Sequence, residues 1–406
     1  MAGATIDHMV AITVLAAALL LTMGVYGQML ASVVAYERSR EVAMKAVDLM
    51  DTICLGPGNP ADWGQRNVTP TCFGLQDPDG SGYALSPFSL MRLLSSSGDQ
   101  VYYNITGEWY SNVSWGIDGG YLLVPIDECI NYANVSRLLG VNGSYGFQLS
   151  VTPTLSISIS EVQSNPLELS VGVRGPGSPL SGAALSYLMY WTLDEKDPET
   201  GSPLLNFTSG SSITNSAGLA SLDFPQINVN NNRTAYTIIV NAQLGGLYGV
   251  GYKSRETITS AGNIIPFVES FENGTVLLAH KWGKNDPDGN QGALHFNATF
   301  YILPTNFEPI KVDLENSTGL VNYGKGGKPF QRIQIPTSYA GFLVVSYCKG
   351  PEFGMVIMPW GISTIGLSVT FGGDSSGYEW VATELRQVVV NELSYQVKLA
   401  VWSLHD

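Results

Sequence analysis

The hydrophobic pattern opens on an unbroken apolar run. From Met9 to Tyr36 no side chain is charged, and only Thr13, Thr22, Gln28, Ser32 and two glycines relieve the apolar residues. As a helix, about 28 residues would span roughly 42 Å, more than the ~30 Å hydrocarbon core of a bilayer. The helical pattern then turns amphipathic. Val42, Ala46, Leu49, Met50 and Ile53 recur at helical spacing, while Glu37, Arg38, Arg40, Glu41, Lys45 and Asp48 take other faces. Helix breakers arrive at Gly56-Pro57-Gly58 and Pro60. The pattern predicts one long helix over 1–55, apolar all round in its first half and striped in its second.

Beyond it the period changes to that of strands. Residues 56–145 read as a small α+β region, with helices around Pro87–Leu94 and Ile126–Leu139 and strands at Val101–Ile105 and Tyr121–Pro125. From Phe147 to Ser160 apolar and hydroxyl residues alternate, which predicts a half-buried strand pair. Further strand-like segments separated by Gly, Pro and Asn clusters fill 146–260, and a third β-rich region covers 261–406. That region ends in a hairpin turning near Asn391. The fold class expected is α+β: a long N-terminal hydrophobic α-helix followed by mainly antiparallel β-sandwich domains.

Composition narrows the function. A formal net charge of −14 with no Lys/Arg cluster excludes nucleic acid and a polybasic lipid-binding surface. Asn-x-Ser/Thr triplets occur at Asn67, Asn104, Asn112, Asn134, Asn142, Asn206, Asn232, Asn273, Asn297 and Asn316, all after the long helix. As N-glycosylation acceptors they exceed the roughly four that composition alone would give, and they point to an exported chain. Arg38, Arg40 and Lys45 flank the apolar run on its C-terminal side, where the positive-inside rule would keep the remainder cytoplasmic. Long domains translocate regardless of such charges, so the triplets carry more weight.

Cys54, Cys72, Cys129 and Cys348 match no zinc spacing. Four thiols in an exported protein allow three pairings. The favoured one is Cys54–Cys72 with Cys129–Cys348, and four unpaired thiols are the alternative.

Candidate chemistry is sparse. The histidines are His8, His280, His295 and His405, of which His280 and His295 would have to meet across adjacent strands to act together. Gly373-Asp374-Ser375-Ser376-Gly377 has the nucleophile-elbow spacing without its strand–turn–helix context, and reads as a loop. Asp77-Pro78-Asp79-Gly80 and Asp286-Pro287-Asp288-Gly289 suit type I turns, and their alternating carboxylates also resemble the start of a Ca²⁺ loop without its closing Glu. No catalytic site is expected.

Two resemblances follow from these residues. Pro179-x-x-Gly182-Ala183 and Asn215-x-x-Gly218-x-Ala220, flanking central strands, resemble turns of immunoglobulin-like surface modules. The segment from Ala4 to Leu21, ATIDHMVAITVLAAALLL, resembles the start of archaeal type IV pilins and archaellins. That resemblance implies a short leader, membrane insertion during biogenesis, and a helical homopolymer of identical subunits with bundled helices and glycosylated β-rich heads outside. Asp7, Ala17, Gly24, Gly27 and Ala31 would then serve helix-bundle assembly, Asp7 by pairing with an α-amino group and the small residues by letting helices approach. The function expected is a structural subunit of an extracellular pilus-like filament. The alternative is a monomeric membrane-anchored adhesin or envelope glycoprotein.

Overall fold

A computed structural model describes residues 2–104, 106–114, 121–229, 233–255, 263–281, 293–304, 307–322 and 329–405. One helix, α1 (Ala2–Leu55), runs unbroken through both the apolar and the striped halves. It is followed by a β-rich region of many strands in several sheets, so the α+β class holds. Among the described residues two shorter α-helices interrupt the strands. α2 (Pro87–Ser95) starts on the Ser86 hydroxyl, which accepts from the Ser89 amide. α3 (Tyr132–Leu138) starts likewise on Asn131, which accepts from Ala133 N.

The final hairpin organises the first sheet. Val381–Val390 and Leu393–Ser403 pair antiparallel, and the outer neighbours of the pair are Ala84–Leu85 on one side and Tyr145–Pro153 then Val369–Gly372 on the other. The turn falls at Asn391-Glu392, where expected. The striped half of α1 lies on this hairpin: Val42, Ala46, Leu49, Met50, Ile53 and Cys54 are buried in the same core as Val388, Val390, Tyr395 and Val397.

Strand pairing crosses the expected regional boundaries. Asp99–Tyr103, Glu108–Ser114 and Tyr121–Pro125, from the first region, continue a sheet with Asn263–Ser270, Thr275–Lys281 and Phe330–Gln334 from the last. The join is parallel, at Phe267 opposite Leu123. Tyr145–Pro153 and Ser156–Ser164, expected as a pair, lie in different sheets because the first is claimed by the terminal hairpin. The chain from 156 to 255 forms its own pair of sheets. Pro203–Ile213, Ala184–Lys196, Tyr236–Leu244 and Leu247–Arg255 make one; Leu219–Phe224, Leu167–Gly175 and Ser156–Ser164 make the other. Their facing side chains, among them Leu169, Val171, Met189, Ile238 and Val240, share one core. At its edge Glu161 takes Arg255 at 2.7 Å and Tyr236 at 2.9 Å.

This unit is also covered on its far face. Leu188, Tyr190, Ile239 and Val250 form a second cluster with Tyr301, Phe342, Val344 and Ile357 of the last region. Tyr190 stands 4.8 Å from the Tyr301 ring. That double burial explains the texture of the central strands: Leu188 to Thr192 and Tyr236 to Val240 are buried without alternation, as a strand covered on both faces requires. Gly366 holds the junction. Its φ is +70°, and a Cβ there would run into the Val250 carbonyl.

The cysteine pairing is a correction. All four thiols are free. Cys54 is buried, its sulfur 3.5 Å from Met50 Sδ, whereas Cys72 is exposed on a strand bridge to Asn59. Cys129 turns its thiol to the Pro125 and Ser95 carbonyls, and Cys348 to the Gly201 carbonyl. No two of the four sulfurs are bonded, so neither expected bridge forms.

Candidate assembly surface

The two halves of α1 differ in everything but backbone. From His8 to Tyr36 nearly every side chain is exposed, including Leu20 and Leu21 at 71% and 72%. The few hydroxyls hide their polarity within the helix. Thr13 Oγ1 donates to Met9 O at 2.8 Å, Thr22 to Ala18 O at 3.0 Å, and Ser32 to Met29 O at 2.8 Å. The outward surface is therefore apolar on every side, and the helix is long and apolar enough to cross a membrane. Ala17, Gly24, Gly27 and Ala31 lie on this exposed part. A Cβ built on Gly24 or Gly27 meets nothing within 4 Å. Asp7's side chain falls outside the described residues.

The second half is fixed to the head by packing and by two tyrosines. Tyr145 donates to Glu41 Oε1 at 2.7 Å, and Tyr83 to Asp51 Oδ1 at 3.2 Å. These bonds flank the buried stripe, one near each end, and set the direction in which the free half leaves the head. The head beneath is braced by Arg92, whose guanidinium donates to the carbonyls of Trp63, Arg66, Val68 and Glu128. Arg92 is almost wholly buried, with the rings of Trp63 and Phe271 within 6 Å. Nothing in its surroundings in the sequence marked it out.

The glycosylation triplets are spread over the head. Asn104, Asn142, Asn206, Asn273 and Asn316 are exposed; Asn112, Asn134 and Asn297 are half-buried; Asn232 lies outside the described residues. Asn67 is exposed but employed. Its carboxamide accepts from Phe271 N and Glu272 N and donates to Ser270 Oγ, tying the 67 loop to the 270 turn.

The remaining candidates separate. Asp77 Oδ1 accepts from Asp79 N and Asp77 O from Gly80 N, an ordinary turn, while Asp286 and Asp288 lie outside the described residues. Among the described residues no group of three or more His, Cys, Asp or Glu is arranged to hold a metal. His280 is buried in the sheet containing Thr275–Lys281, whereas His295 sits in Ala293–Ile302 of another sheet, so they do not face each other across adjacent strands. His295 Nδ1 lies 2.9 Å from Thr200 O. In the 373–377 loop Ser376 bonds Asp374, whose carboxyl is held below its usual range by those bonds.

No family model matches the chain, and no curated protein matches it. Among solved structures, a crystal structure of a Salmonella alpha-2-macroglobulin mutant aligns with 61% of this chain at 10% identity and a TM-score of 0.20. This chain spans 23% of that one's length. A likeness that low carries no argument about fold or activity.

Proposed function

We propose that this protein is the structural subunit of an extracellular, type IV pilus-like filament, inserted in the membrane by α1 before assembly and held afterwards by a bundle of identical helices. One observation carries the reading: the exposed half of α1 is apolar all round, while its continuation is firmly docked on the head. A bare apolar rod of roughly 42 Å in water needs partners on every side, which lipid or several copies of itself supply and one neighbouring domain does not. The part beyond a ~30 Å hydrocarbon core has partners only in the second case.

In this reading the head faces outward. The unit at 156–255 is an immunoglobulin-like sandwich, with the Pro179–Ala183 and Asn215–Ala220 turns flanking its central strands, and the exposed Asn residues carry glycans. Gly218, at φ +72°, and the Asn215 carboxamide accepting from Ala217 N and Leu219 N fit such a turn. Attachment through the glycosylated surface is the role such a filament would have.

The second reading is a lone membrane-anchored surface glycoprotein, which the membrane-compatible length of α1 favours. Electron microscopy of sheared cell-surface material, with this chain identified by mass spectrometry, separates the two. Ordered filaments containing it support the first. Recovery solely as detergent-soluble monomer would exclude the first.

A further inference from the structure

Among the described residues, four that are not glycine have positive φ: Phe307 (58°), Asn316 (57°), Asn391 (46°) and Glu392 (66°). Phe307, Asn391 and Glu392 line one and the same cavity of about 370 Å³. Left-handed backbone is costly for L-residues and tends to gather where a site demands it. A two-residue hairpin turn of this kind is best served by Asn-Gly. Here the second position is Glu, an exposed residue that takes the left-handed conformation and lines the cavity.

Four separate parts of the chain converge on it. Asn241 and Tyr248 come from the hairpin of the 156–255 unit, Leu303 and Phe307 from beyond the strand Ala293–Ile302, Ser363 from the 3-10 turn Ile362–Ile365, and Leu393 from the start of the last strand. Such junctions between units are where small-molecule sites form, and the volume lies in the usual range. The walls are largely apolar, with the aromatic rings of Tyr248 and Phe307 among them. Two wall residues have buried polar atoms without a hydrogen-bond partner, Ser363 Oγ and Asn241 Oδ1. Among the described residues lining the cavity, Glu392 is the one charged at neutral pH, and no Lys, Arg or His joins it. An anion would find no counter-charge there. A cation with an apolar body would find both an aromatic wall and a carboxylate.

We propose that this cavity is a binding site for a small organic amine, its apolar body against Tyr248 and Phe307 and its ammonium on Glu392. The site belongs to the head alone, so it stands whether or not the chain assembles into filaments.

The test uses full-length protein in detergent micelles and three probes of one shape: 2-phenylethylamine, 2-phenylethanol and phenylacetate. Calorimetric titration should show saturable binding of the amine, roughly tenfold weaker binding of the alcohol, and none of the acid. Glu392→Gln should bring the amine down to the alcohol's level with an unchanged melting temperature, and Glu392→Gly, which keeps the turn, should do the same. Partition of the amine into micelles is common to all three proteins and cancels in the comparison. No saturable heat, equal affinity for the three probes, or an amine affinity unaltered by Glu392→Gln would overturn the proposal.

Discussion

The hydroxyl of Tyr145 donates to the Glu41 carboxylate at 2.7 Å, across 104 residues of sequence. Tyr145 opens the strand that the terminal hairpin captures, and Glu41 lies where α1 changes from free to docked. The bond therefore sits at the point where the rod leaves the head. The carboxylate favours the protonated phenol, so the Tyr145 hydroxyl titrates above its ordinary range. A raised value means that the contribution is full below the ordinary tyrosine range and is lost as pH rises through the shifted one. Tyr145→Phe should cost about 1 kcal/mol. Hydrogen exchange should then quicken in α1 around Glu41 while the core strands keep their protection.

Arg92 makes a stronger prediction. It is 1% exposed and its donors serve four main-chain carbonyls, at 2.7 Å to Trp63 and Arg66, 2.8 Å to Val68, and 2.7 Å to Glu128. Arg92→Met keeps the volume and strands those acceptors, which should cost about 3 kcal/mol or more in chemical denaturation. Arg92→Lys should recover little, because an ammonium cannot reach both sides of the fork.

Glu128, whose carbonyl Arg92 holds, carries the pH dependence. Burial pushes its carboxyl up from 4.5 to about 7, with the neighbouring Arg92 pulling the other way but not prevailing. The folded state thus favours the protonated acid. Its contribution is complete below pH 4.5 and fades as pH rises through about 7. Melting temperatures should fall between pH 5 and pH 8, and Glu128→Gln should flatten that slope, by about 1 kcal/mol after allowing for partial exposure.

The free cysteines predict an order of labelling. Cys72 is exposed, Cys129 half-buried, and Cys54 and Cys348 buried. An alkylating reagent without reductant should modify Cys72 within the first sampling times and reach Cys54 and Cys348 only on unfolding. A mass two units below the fully reduced value, indicating a bridge, would contradict the arrangement described.

Much of the fold was legible because its signals are local. The change in α1 from uniform to striped marks where the helix meets the head, and the Val42–Ile53 stripe is the docked face. The terminal hairpin declared itself by two apolar strands around Asn391. Pairing was not legible, because nothing in Tyr145–Pro153 says that its partner is Leu393–Ser403 rather than the strand after it. Nor does alternation reveal that Leu188–Thr192 is covered twice, although the loss of alternation is itself the trace of that burial. The cavity at Glu392 was hidden for a different reason: its residues meet only once four distant segments have been placed.

The small residues of α1 separate a bundle from a lone anchor. Gly24 and Ala31 stand on the free half, and a Cβ on Gly24 meets no atom within 4 Å of it. Leucine at both positions therefore clashes with nothing inside the subunit. Helix propensity improves by about 1 kcal/mol at Gly24, and the segment becomes more apolar, so membrane insertion should be at least as good. Close approach of neighbouring helices suffers instead, because two bulky side chains now stand where small ones let backbones come together. The Gly24→Leu, Ala31→Leu double variant should keep its melting temperature within about 3 °C and its yield in the membrane fraction. Sheared filaments counted by electron microscopy should fall roughly tenfold or more, the loss expected from about 1.4 kcal/mol per added subunit. Unchanged filament numbers would show that these helices do not pack through their small residues.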